Sequence, residues 1–137
     1  MLIWLGANDA ALKMPYHEDA VHLCEFKANL SMLVKLAPPS SDGSPCQVVL
    51  MTPPPMNPVQ RQVILDQRHG ADSLPDHSTE RTQFYAEAVT DVARELGVPC
   101  ADINSVIIAA ALEAGTGDLA CGLATFLSDG VHLNSLG

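Results

Sequence analysis

Two short stretches, far apart in the chain, carry residue types suited to an acyl-transfer site. Near the start, the apolar run Leu2-Ile3-Trp4-Leu5 leads into Gly6-Ala7-Asn8-Asp9, and near the end Ser128-Asp129-Gly130-Val131-His132-Leu133 sets a carboxylate three residues before an imidazole. An amide side chain at the end of an apolar strand can donate a hydrogen bond to a developing oxyanion. Asp129 can accept a hydrogen bond from His132 across a turn, which fixes the tautomer and stabilises the imidazolium formed when the ring takes a proton. Each pair also fits a plainer role: Asn8 or Asp9 closing an Asx turn after the strand, and Asp129 with His132 as a surface contact. A nucleophile is missing. The nearest serine motif, Asp42-Gly43-Ser44, is bracketed by Pro38, Pro39 and Pro45 and reads as a surface turn.

The elements that must hold these groups alternate. Residues 2 to 5 read as a buried strand, and Val21 or Leu23, Phe26, Leu30, Leu33 and Val34 recur at helical spacing up to the Pro38-Pro39 stop. Gln47 to Thr52 reads as a second strand, released into a loop by Pro53-Pro54-Pro55. Met56 to His77 reads as the longest irregular stretch, with a short helix around Val59 to Leu65 and with His69 and His77 solvated. Ser78 or Thr79 caps a helix carrying Phe84, Ala88, Val92 and Leu96 that Gly97 ends. Val98 to Ala101 gives a third strand, and Asp102 opens a helix that runs to Gly115. Strands alternating with helices predict an α/β fold with a parallel sheet, and the 137 residues suit one domain. Trp4 is expected in the core.

Taken together, Leu5-Gly6-Ala7-Asn8-Asp9-Ala10, Phe26-Lys27-x-Asn29-Leu30, Val49-Leu50-x-Thr52-Pro53-Pro54-Pro55 and Leu127-Ser128-Asp129-Gly130-x-His132-Leu133 resemble, in order, the blocks of the SGNH, or GDSL, hydrolases. The isoamyl acetate-hydrolysing esterases are the most similar group within that family, and the resemblance spans nearly the whole chain. It implies a flavodoxin-like three-layer fold and a serine esterase acting on small, uncharged, acetate-type esters without a cofactor. His132 would be the base, Asp129 its orienting carboxylate, Asn8 an oxyanion donor, and Gly6 and Asp9 structural residues beside the site. The Pro53-Pro54-Pro55 loop would either line the substrate pocket or serve as a rigid support.

The family's first two blocks, a Gly-Asp-Ser carrying the nucleophile and a glycine whose N–H shares the oxyanion, have no counterpart in this sequence. The resemblance therefore implies an incomplete domain, residues 1–137 being its C-terminal part, with the first two strands missing and truncation at both ends. Such a chain is expected to lack serine esterase activity. Strand order 2-1-3-4-5 would also leave residues 2 to 5 as an exposed apolar edge open to self-association. A non-catalytic binding or regulatory module that kept the fold is the alternative, and an obligate edge-to-edge dimer is a third.

Charge and cysteines narrow the classes. Seven Lys and Arg against 16 Asp and Glu give a net charge of −9, unsuited to nucleic acid or an anionic membrane surface. No apolar run reaches the ~18 residues of a membrane helix, and no leader is recognisable, so a cytoplasmic location is expected. Cys24, Cys46, Cys100 and Cys121 are scattered without Cys-x-x-Cys spacing and read as reduced thiols. His17-Glu18-x-x-x-His22 places its histidines about 140° apart on a helix, so they cannot share a metal on one face. No metal site is expected. Asn29-Leu30-Ser31 has the form of a glycosylation acceptor but lies within an expected helix.

Overall fold

In the computed structural model, which describes residues 1–12, 20–39, 41–71 and 73–137, three apolar runs pair as parallel strands in the order β1 (Leu2–Trp4), β2 (Val49–Met51), β3 (Cys100–Ala101). Leu2 pairs with Val49 and Trp4 with Met51, while Leu50 and Met51 pair with Cys100 and Ala101. Five helices lie among the described residues: α1 (Leu23–Lys35), α2 (Pro58–His69), α3 (Thr79–Leu96), α4 (Ile103–Ala114) and α5 (Leu119–Phe126). His17 and Glu18 lie outside the described residues.

Two apolar clusters form. In the first, Phe26 and Leu30 of α1 and Tyr85, Val89 and Val92 of α3 pack with Leu50 of β2. The inward stripe of α3 thus runs through Tyr85 and Val89, and Phe84, expected inside, is 47% exposed. The second cluster joins Ile107 and Ala111 of α4 to Leu123 of α5 and to Leu127, which follows α5. α4 and α5 approach backbone to backbone at Gly122, where a Cβ would fall 1.7 Å from the Ala111 carbonyl oxygen. The α5 helix escapes the sequence pattern because its apolar residues lack a polar face and a glycine sits mid-helix. Its visible cue is Asp118, whose side chain accepts the Cys121 N–H.

Three further expectations are corrected. α2 extends well beyond Val59–Leu65: Asn57 caps it through the N–H groups of Val59 and Gln60, with Pro58 preorganised for the first turn. His77 is buried at 4% exposure, its Nδ1 2.9 Å from Asp76 Oδ1. The strand at residues 2 to 5 is not buried, because among the described residues only β2 pairs with β1. Leu2 is 55% and Trp4 46% exposed. Among the described residues no single helix is long and apolar enough to cross a membrane.

Candidate active site

β1 delivers its last residues into a tight turn. Gly6 is buried and its N–H donates to Asp9 Oδ2 at 3.1 Å, while the N–H groups of Ala10 and Ala11 donate to the carbonyls of Gly6 and Asn8. Asp9 therefore ties the turn together and Asn8 projects from it, exposed. Among the described residues three outside contacts hold the turn: Arg81 Nε donates to the Ala10 carbonyl at 2.9 Å, the Leu12 N–H donates to the Asp76 carbonyl at 2.6 Å, and the Val21 N–H donates to the Asp9 carbonyl at 3.3 Å.

At the opposite end of the chain, Leu127 and Leu133 form an antiparallel bridge that closes a small loop. Asp129 Oδ1 accepts the N–H groups of Val131 and His132 at 3.1 and 2.9 Å, and Oδ2 lies 2.8 Å from His132 Nδ1. Burial alone would raise the Asp129 pKa. The His132 N–H, the His132 imidazole and the Val131 N–H outweigh it and hold the carboxyl down at about 2. Asp129 is thus ionised across the neutral range, and the His132 nitrogen left for other partners is Nε2. The His132 side chain is 71% exposed.

The two segments meet. Asn8 and Asp9 from the β1 turn and Val131, His132 and Leu133 from the loop line one hollow of about 250 Å³, with Pro54 on its wall. Pro54 belongs to the buried proline segment after β2, fixed by Asn104 Nδ2, which donates to the Pro53 carbonyl at 3.0 Å. Trp4, expected in the core, lines the same hollow and donates its Nε1–H to the Thr52 carbonyl at 3.0 Å. Its exposure follows from its place on the unpaired edge of the sheet. Among the described residues no Ser, Thr or Cys lines the hollow. Ser44 hydrogen-bonds its hydroxyl to Asp42 Oδ1 at 2.6 Å in an exposed turn, and Ser128 directs its hydroxyl to the His132 carbonyl.

The loop rests on a mount absent from the motif pattern. The Asn57 N–H donates to the Gly130 carbonyl at 2.8 Å, and Gln60 Nε2 donates to the Leu127 carbonyl at 3.0 Å. Arg61 Nη1 stands 3.7 Å from Asp129 Oδ2. Gly130 has φ +87°, and a Cβ there would lie 2.6 Å from the Arg61 nitrogen. The Asn57-Pro58 helix start is the signal that could have located this mount. Among the described residues, no three His, Cys, Asp or Glu side chains gather as metal ligands, and none of the four cysteines is in a disulfide.

Sequence comparison and fold comparison agree. A relative from Arabidopsis thaliana named GDSL esterase/lipase is 31% identical over 98% of this chain, and the bovine isoamyl acetate-hydrolyzing esterase 1 homolog is 32% identical over 98%. The chain belongs to the SGNH, or GDSL, hydrolase family. A crystal structure of a lipase/acylhydrolase from Enterococcus faecalis superimposes with a TM-score of 0.66 at 20% identity, covering 99% of the chain and 53% of that protein. The three parallel strands and five helices are thus an incomplete SGNH flavodoxin-like fold. No family model matches the sequence. This SGNH chain spans about half the length of the relatives it matches, 52% of the Arabidopsis protein and 49% of the bovine one.

Proposed function

We propose that this chain carries the acid–base and oxyanion half of a serine ester hydrolase acting on small, neutral, acetate-type carboxylic esters. A serine outside this sequence attacks the ester carbonyl while His132 Nε2 takes its proton. Asp129 keeps the Nδ1–H directed to itself and stabilises the imidazolium, and the Asn8 amide donates to the oxyanion. His132 then returns the proton to the departing alcohol, leaving an acyl-enzyme that water hydrolyses by the same route in reverse. The single observation that supports this most is the shared hollow, which Asn8 and His132 both line despite their separation in sequence. Its volume of about 250 Å³, with no Lys or Arg lining it among the described residues, suits a small uncharged substrate. On its own the chain is inactive, because removing the nucleophile of such a triad costs on the order of a millionfold.

The test is complementation. The chain alone is expected to leave p-nitrophenyl acetate unhydrolysed and to resist a fluorophosphonate label. Fused to the Gly-Asp-Ser-bearing segment of the bovine esterase homolog, it is expected to gain both properties. In that fusion His132→Ala abolishes turnover, and Asn8→Ala lowers it roughly 10²- to 10³-fold. Stoichiometric labelling of the isolated chain, or fusion activity indifferent to His132→Ala, would overturn the assignment. A well-folded fusion without activity would favour the non-catalytic binding module.

A further inference from the structure

One of the residues that tie the loop to the body of the protein carries a charge yet does not line the hollow. Arg61, on the first turns of α2, has its side chain 11% exposed and is gripped from behind by Asp76, whose side chain is 1% exposed. Nε donates to Asp76 Oδ1 at 3.1 Å and Nη2 to Oδ2 at 2.5 Å, a two-pronged contact that fixes the plane of the guanidinium. The remaining nitrogen, Nη1, faces Asp129 Oδ2, the same oxygen that meets His132 Nδ1. Four groups thus stand in a row, Asp76, Arg61, Asp129 and His132, alternating in charge when the imidazole is protonated.

We propose that Arg61 is a positioning residue for His132. Locked by Asp76, its guanidinium holds the Asp129 carboxylate against the imidazole and offsets part of that carboxylate's charge. The inference rests on His132 serving as the base, and it adds how the base is kept usable. A carboxylate 2.8 Å from Nδ1 favours the imidazolium, whereas a general base must be neutral when substrate binds. A cation behind the carboxylate limits that bias without breaking the hydrogen bond. Among the described residues the charged groups around the ring are Asp129 on its own loop, Arg61 on α2, Asp76 with His77 behind Arg61, and Asp9 across the hollow.

Titration of His132 by nuclear magnetic resonance on the whole chain tests this without substrate or nucleophile, so its outcome is independent of whether the complemented protein hydrolyses esters. Arg61→Gln is expected to raise the His132 midpoint by about half a unit to one unit, because Asp129 and Asp76 then act on the ring uncompensated. Arg61→Lys, which keeps the charge but not the fork, is expected to hold the midpoint within about 0.3 units of wild type. Should Arg61→Gln fail to fold around its buried carboxylate, Arg61→Gln combined with Asp76→Asn removes both charges together and is expected to give a smaller rise of the same sign. A merely structural Arg61 would release Asp129 from the ring and leave the midpoint lowered or unmoved. An unchanged or lowered midpoint overturns the proposal.

Discussion

The two walls of the hollow are built differently. The His132 wall is braced from several directions: the Leu127–Leu133 bridge closes its loop, α2 supplies Asn57, Gln60 and Arg61, and the apolar cluster of α4 and α5 anchors Leu127. The Asn8 wall is a single turn at the tip of a three-residue edge strand, with Asp9 as its internal tie and contacts from Arg81, Val21 and Asp76 holding its backbone. Asp76 touches both, since its carboxylate grips Arg61 while its backbone carbonyl takes the Leu12 N–H. The Asp129–His132 geometry is therefore fixed within this chain, whereas the Asn8 wall stands beside a sheet edge that is unpaired among the described residues. Preorganisation resides where packing and hydrogen bonds overdetermine a side chain, and Asp129 meets that condition through both of its carboxylate oxygens.

The contrast breaks most sharply at Gly130. An alanine there meets the backbone of Arg61 and Asn57 and must hold a left-handed φ of +87°. The expected cost is about 3 kcal/mol, from strain and overpacking together. In Gly130→Ala the loop leaves α2, so a thermal melt falls by roughly 10 °C. The His132 tautomer, read from imidazole nitrogen shifts, loses its bias toward Nδ1–H, while amide signals of residues 6–11 stay in place. Disturbance confined to residues 6–11 would mean that the two walls are not independently supported.

Acid sharpens the same contrast. Burial opposes ionisation of Asp76, yet the hydrogen bonds from Arg61 and His77 outweigh it and hold its pKa at about 2. A carboxyl depressed below its unfolded value of about 3.9 stabilises the fold above that pH and loses its contribution as pH falls toward 2. Asp129, also held at about 2, acts in the same direction. Stability is expected to drop between about pH 4 and pH 2, by on the order of 2 kcal/mol from Asp76. Denaturant unfolding across that range checks it, and Asp76→Asn should flatten the acid limb. Equal acid sensitivity in wild type and Asp76→Asn would show that Arg61 and Asp76 do not brace the His132 wall.

What the sequence disclosed, and what it hid, divides along the same line. Gly6 to Asp9 and Asp129 to His132 were legible because each packs its chemistry into a few consecutive residues. The strands and α3 were legible through apolar runs and caps, although the buried stripe of α3 turned out to pass through Tyr85 and Val89. Arg61 and Asp76 were invisible as partners because neither belongs to a motif and their contact spans 15 positions of polar sequence. The α5 helix was lost because tight crossing demands Gly122, the residue that argues against a helix when read alone. His77 was misplaced for a related reason: a polar stretch reads as solvated until an arginine and a carboxylate are found to share its burial.

The smallest effect on stability is expected at the open edge, and it probes the Asn8 wall. Leu2, Trp4, Leu33 and Leu36 are all at least 40% exposed along β1 and the adjoining end of α1. An apolar strand edge presents unpaired backbone groups to a second copy of the chain. Leu2→Lys introduces a charge that pairing would have to bury, while leaving β2 and the core untouched; its stability is expected to lie within about 0.5 kcal/mol of wild type. Sedimentation should show self-association in the wild type that weakens in Leu2→Lys and disappears in the fusion that supplies the Gly-Asp-Ser segment. If the fusion still self-associates to the same extent, the added segment is not seated on β1, and the Asn8 turn would then have to find its support elsewhere.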